Sequence, residues 1–175
     1  MGEYGLVQTL ARRPVISTDE YKRKFLVVID ESKEADRAIT FAANRVKRTG
    51  GTVVLLSVID SQDFTQFLGV EEVMRAEARE EAERLLDTKR ARIGQIGEGI
   101  RTETVIREGD LVSEIERLVA EDAGIAILVI AAAGGKEGPG PLVSSFATRA
   151  GQAALPVIVT IIPGTMTDEQ IVAVT

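Results

Sequence analysis

Phe25-Leu-Val-Val-Ile29, followed at once by Asp30-Glu31-Ser32, decides how the chain is read. A run of consecutive apolar residues stopped by an acid is the pattern of a strand buried on both faces, as in a parallel sheet covered by helices. Ser32 is then placed to cap a helix, and Ala35, Ala38, Ile39, Ala42 and Val46 follow at helical spacing. Gly50-Gly51 ends that helix, because a left-handed residue is least strained at glycine. A second apolar strand, Val53–Ile59, stops at Asp60.

The same alternation continues to the end of the chain. Ser61–Gly69 is a polar loop carrying Phe64, Phe67 and Leu68, read as a cover for the sheet edge rather than a partner contact. Val70–Ile93 is a long helix whose Glu and Arg residues alternate at i,i+4 spacing, the mark of a solvated face. Thr102–Ile106 is a third strand, and Asp110 caps a helix with Leu111, Ile115, Leu118 and Val119 on one side. Ile125–Ala132 is the most apolar strand and is expected to be central. After a glycine-rich loop, Ser144 or Ser145 opens a helix with Phe146, Ala147, Ala150 and Ala154, and Pro156 leads into a last strand, Val157–Ile162. Thr167 and Gln170 stand at capping-box spacing, so a short terminal helix is expected. Strands alternating with helices imply right-handed crossovers and a doubly wound α/β fold: a five-stranded parallel sheet with helices on both faces.

Three parts are expected: a surface arm over residues 1–24, a domain over 25–163 and a tail over 164–175. Arg12, Arg13, Lys22, Arg23 and Lys24 make the arm locally basic. A surface arm is the simpler reading of that charge, and a partner-binding arm the other.

Composition removes several function classes. With no Cys and no His among 175 residues, Ser/His/Asp and Cys/His catalysis and Cys-type zinc sites are excluded, leaving carboxylates, Lys, Tyr or a ligand-borne metal. A net charge of −6 argues against nucleic acid, whose binding needs clustered Lys and Arg. The longest apolar run, Ala123–Gly135, is too short to cross a bilayer, and the amino terminus lacks the order of a secretory signal. A cytoplasmic protein with no membrane contact is therefore expected.

Open sheets of this kind bind ligands beyond the carboxyl ends of their strands, where strand order reverses. The end of the first strand, Val28 to Ser32 with Ile29 and Asp30, and the loop Ala131 to Ser145 would converge there. In the loop, Gly134, Gly135, Gly138 and Gly140 let the backbone approach a guest, and the following helix would aim N–H groups and its positive dipole end at it; phosphate is the natural guest. Such glycines equally serve a tight turn, and no Walker A sequence follows. Asp30 is either a ligand contact or a helix-start carboxylate.

Val27-Val-Ile-Asp-Glu-Ser32, Leu55-Leu-Ser-Val-Ile-Asp60, Arg107-Glu-Gly-Asp110 and Ile127–Thr160 resemble, in order, the signature segments of the universal stress protein family. The resemblance spans about residues 24 to 163 and implies an adenine nucleotide alpha hydrolase-like, Rossmann-like fold. In that family's nucleotide-binding branch the loop after the fourth strand reads G-x2-G-x9-G-[S/T]. Here the register falls on Ala131, Gly134, Ser144 and Ser145 with the spacing intact, although Ala131 and Ser144 stand at glycine positions and Glu31 replaces the usual glycine after the acid.

The resemblance implies a nucleotide-binding set of Ile29, Asp30, Val58, Ala131, Gly134, Ser144, Ser145 and Phe146. Asp30 would meet the adenine or ribose, Val58 would offer backbone groups to adenine, and Gly134, both serines and the Phe146 amide would hold phosphates. The ligand would be ATP or AMP, with Mg²⁺ carried by the phosphates. The resemblance also implies a homodimer through the last strand, Val157–Ile162.

Two functions follow: a nucleotide-binding regulatory module in stress response, or a dimeric adaptor of the same family that binds no nucleotide. No residue stands out to activate water, so at most slow ATP hydrolysis is expected and no catalytic residue is assigned. The regulatory protein partner is not specified.

Overall fold

The computed structural model describes residues 23–60, 69–134, 138–151 and 155–175. The basic arm up to Lys22, the Phe64, Phe67 and Leu68 loop, Gly135 to Glu137 and Ala154 lie outside the described residues, as do the side chains of Ala147 and Ala150.

Ten elements alternate: β1 (Lys24–Val28), α1 (Lys33–Thr49), β2 (Thr52–Ile59), α2 (Glu71–Ile96), β3 (Arg101–Glu108), α3 (Leu111–Glu121), β4 (Ile125–Ala132), α4 (Pro141–Gly151), β5 (Ile158–Pro163) and α5 (Asp168–Val174). The strands form one parallel sheet in the order β3-β2-β1-β4-β5. The order reverses between β1 and β4, which makes that junction the switch point. β4, expected at the centre, is interior, and the middle strand is β1. The first strand is apolar from Phe25 onward because each face is covered. Phe25, Val27 and Ile29 pack with α1, α2 and Ile171 of α5, whereas Leu26 and Val28 pack with α3 and α4.

The caps read from the sequence hold the helices. The Ser32 hydroxyl accepts from the Ala35 N–H at 3.2 Å, and Asp110 Oδ2 accepts from the Ser113 N–H at 2.9 Å. Thr167 and Gln170 form a reciprocal capping box, with bonds of 2.9 and 3.3 Å. Each removes an orphan donor from a helix start, typically worth about 1 kcal/mol.

Two expectations are corrected. α4 starts at Pro141, a full turn before the serines: proline suits the first helical position, and Gly140 before it takes φ +90°, a conformation glycine adopts without strain. Second, α2 is not merely a solvated helix. The expected surface pairs are present, Glu71–Arg75 at 3.1 Å and Arg79–Glu83 at 3.4 Å, but Lys89 is buried and reaches Asp36 of α1 at 2.7 Å. Arg92, one turn on, reaches Asp168 of α5 at 3.0 Å. Only Ala82, Leu86, Lys89 and Ile93 of this helix are fully buried, so its core stripe is narrow.

Candidate functional site

β1 is shorter than both its neighbours, and that shortfall makes a crevice. Its last residue, Val28, pairs with Leu56, after which β2 continues through Ser57, Val58 and Ile59. On the other side Val27 pairs with Val129, and β4 runs on to Ala132. Ile29 and Asp30 therefore form the floor of a gap walled by two overrunning strands.

The ladder fixes where the walls point. Leu56 C=O accepts from the Ile29 N–H at 2.8 Å on the β1 side, and Ile59 C=O accepts from the Gly109 N–H at 2.9 Å on the β3 side. Along a strand in a parallel ladder, successive residues address opposite neighbours. Val58 thus shares the side of Leu56, and its N–H and C=O point past the end of β1 into the gap. Ile29 is buried, while Asp30 is exposed at the rim. Asp30 Oδ1 accepts from both the N–H (2.9 Å) and the hydroxyl of Ser32, so one carboxylate oxygen organises the turn into α1. Of the two readings of this acid, the helix-start carboxylate is the one observed, placed at the rim of the crevice.

The opposite wall is arranged differently from expectation. Ser144 N–H and Ser144 Oγ both donate to the Gly140 carbonyl, at 3.1 and 3.0 Å. Ser145 and Phe146 lie inside α4, where their amides belong to the i→i−4 ladder. Phe146 has no exposed surface and anchors the core beneath α4. The first-turn N–H groups without an intrahelical acceptor belong to Leu142 and Val143, Pro141 having none. The loop also closes on itself, Ala133 N–H donating to Pro139 C=O at 3.2 Å. The Ala131 methyl packs against the core cluster on the α1 face rather than toward α4. Gly134 is exposed, and a Cβ there would meet only ordinary contacts, the nearest Thr165 Cγ2 at 3.6 Å.

The structure thus brings Ile29, Asp30, Val58, Ala131 and Gly134 to one crevice, and sets the Ser144, Ser145 and Phe146 amides within a helix. Sequence reasoning missed the chain after β5: Gly164 and Thr165 lie against the same loop. The glycine following Pro163 was the available signal. Beside the site, at the carboxyl ends of β2 and β3, a hollow of about 360 Å³ is lined by Ile59, Arg75, Arg79, Arg107 and Glu108 among others. Its charges are engaged: Arg75 pairs with Glu108 at 2.9 Å and Arg107 with Glu121 at 2.5 Å. Among the described residues no helix is long and apolar enough to cross a membrane, and no three carboxylates cluster as a metal site.

The comparisons agree with this architecture. UspA of Lactobacillus plantarum is 23% identical, with a TM-score of 0.64 over 81% of this chain and 97% of its own. A universal stress protein in complex with cAMP is 17% identical, with a TM-score of 0.60 over 80% or more of each chain (81% and 97%). An Arabidopsis thaliana family protein with AMP bound is 19% identical, with a TM-score of 0.55 over 84% and 94%. At these identities the likeness is one of fold. No curated protein matches the sequence closely enough to be called a relative. The model of the universal stress protein family matches residues 22–160, from β1 into β5, and the chain belongs to that family.

Proposed function

We propose that this protein is a nucleotide-binding regulatory module of the cytoplasm, taking an adenine nucleotide, ATP or AMP, in the crevice above β1. One observation carries the reading: Val58 directs a backbone donor and acceptor into the gap beside the Asp30 carboxylate, a pairing suited to an adenine edge and a ribose hydroxyl. Two proteins of the same fold hold AMP and cAMP, which supports the choice of guest. Phosphates would meet the Leu142 and Val143 amides rather than those of Ser144 to Phe146. Mg²⁺ would arrive with the phosphates. Titration calorimetry with ATP, AMP and cAMP tests the reading: binding tighter than about 1 mM, weakened about ten-fold in Asp30→Ala, is expected. No heat from any of the three, with no nucleotide co-purifying, overturns it.

A second reading, a ligand-free adaptor, is favoured by the engaged Ser144 amide and hydroxyl and by the Pro139 bond to Ala133. Glycine at Ala131 and Ser144 separates the two, since binding gained only in that variant supports the adaptor. In either case the chain would work as a homodimer through β5, whose edge exposes Ile158 and Ile161.

A further inference from the structure

The chain does not end with the family domain. Residues beyond 160 finish β5, turn at Gly164 and form α5, which lies against α1. At that turn the backbone passes so close to the end of β4 that a Cβ on Gly164 would stand 2.4 Å from Ala132 O and 3.1 Å from Gly134 N, and 2.9 Å from Glu34 Cγ. Two of these neighbours are backbone and cannot swing aside as the Glu34 side chain could. Glycine is required at 164 for close approach, and the approach is to the wall of the crevice.

What holds the turn in place is α5. Asp168, at its first position, accepts from Arg37 at 2.8 Å, Arg92 at 3.0 Å and the Thr40 hydroxyl at 3.1 Å, joining α1, α2 and α5. Ile171 is fully buried in the core cluster shared with α1, and Met166 packs against the same cluster. Arg45 donates to the Thr175 carbonyl at 3.1 Å. The helix of seven residues is too short to persist alone, so these contacts set its position.

We propose that the segment from Gly164 to Thr175 is a clasp that positions the Ala132–Gly134 backbone, with Asp168 its positioning residue, so that the nucleotide's phosphate side is shaped from outside the family domain. Its ligand consequence rests on the function proposed above, whereas the coupling of clasp to loop does not. The ionic state of the clasp agrees. Burial alone would raise the Asp168 carboxyl, but the bonds from Arg37 and Thr40 and the charges of Arg92 and Arg37 outweigh it and hold it below the ordinary carboxylate range.

Hydrogen–deuterium exchange of the nucleotide-free protein tests the coupling. Asp168→Asn and the milder Arg37→Gln should each raise exchange at the Ala133 amide, which is bonded to Pro139, about three-fold to five-fold, while Leu26 to Val28 in β1 stay protected; Asp168→Glu, which can still reach both guanidinium groups, should restore the loop. Gly164→Ala should raise exchange at the same Ala133 amide by forcing the loop aside. Unchanged loop exchange in all of these variants overturns the clasp, and so does a rise shared equally by β1, which would mean general loosening. ATP affinity should fall about three-fold to five-fold in parallel with loop exchange. If the loop responds but the parent protein binds no nucleotide, the clasp stands and the nucleotide reading falls.

Discussion

The two edges of the sheet are built in opposite ways. On the β3 side Arg101, Glu103, Thr104 and Glu108 face solvent, and ion pairs hold the margin: Lys24 to Glu103 at 2.7 Å and to Asp122 at 2.9 Å, and Arg75 to Glu108. On the β5 side the sequence Ile158-Val-Thr-Ile-Ile-Pro163 has no charge, with Ile158 66% and Ile161 39% exposed. An exposed apolar edge invites another strand, and charges are a common means of refusing one. The contrast teaches that a single sheet can protect one margin and offer the other, so assembly, if it extends the sheet, has one available direction.

Breaking the contrast at β5 should have the largest effect. The double substitution Ile158→Glu and Ile161→Glu would place four like charges across the proposed two-fold interface, a change expected to cost more than about 3 kcal/mol of dimer stability. Light scattering after size exclusion should fall from about twice the 18.8 kDa chain mass to the monomer, whereas Thr104→Glu on β3 leaves the mass unchanged. A parent protein that is already monomeric removes the β5 interface.

A smaller effect is expected when the β3 margin loses its tie. Lys24→Met leaves Glu103 and Asp122 without their shared partner and should lower unfolding free energy by about 1 kcal/mol, with no change in mass. Urea denaturation checks it, and a loss equal to that of a core truncation would show that the margin is part of the core.

The smallest effect sharpens a further difference, since β5 alone continues into a charged clasp. Asp168 is lowered in the folded protein, so its contribution to stability is present above the unfolded carboxylate value near 3.8 and is lost as pH falls through the folded value below it. The side chain is 42% exposed, so solvent screening limits the amount to less than about 1 kcal/mol. Melting curves below about pH 4 should fall more steeply for the parent than for Asp168→Asn. Parallel curves would show that the carboxylate contributes nothing through its charge.

Much of the fold was legible because its signals are local. Phe25–Val28 and Ile125–Ala132 are apolar on both faces, and Ser32, Asp110 and Thr167 each announce a helix within four residues. The α4 start was misread because two serines offered capping chemistry a turn after Pro141, which the structure uses. Strand order has no local signal, and neither do the inward charges: Lys89 meets a partner 53 residues away and Arg92 one 76 residues away. At the site, Asp30 and Gly134 could be picked out by residue type. Val58 could not, because backbone direction leaves no trace in side-chain identity; only its place in the family pattern drew attention to it.

The early stop of β1 separates two properties that most binding sites entangle. The recess is made by leaving ladder positions out, not by hollowing out packed interior, and its floor is the buried Ile29 side chain. A two-residue insertion after Val28 would preserve the facing of Ile29 and Asp30 while letting the strand grow across its own opening. In a sheet of this kind the depth of such a recess is therefore set by the length of a single strand.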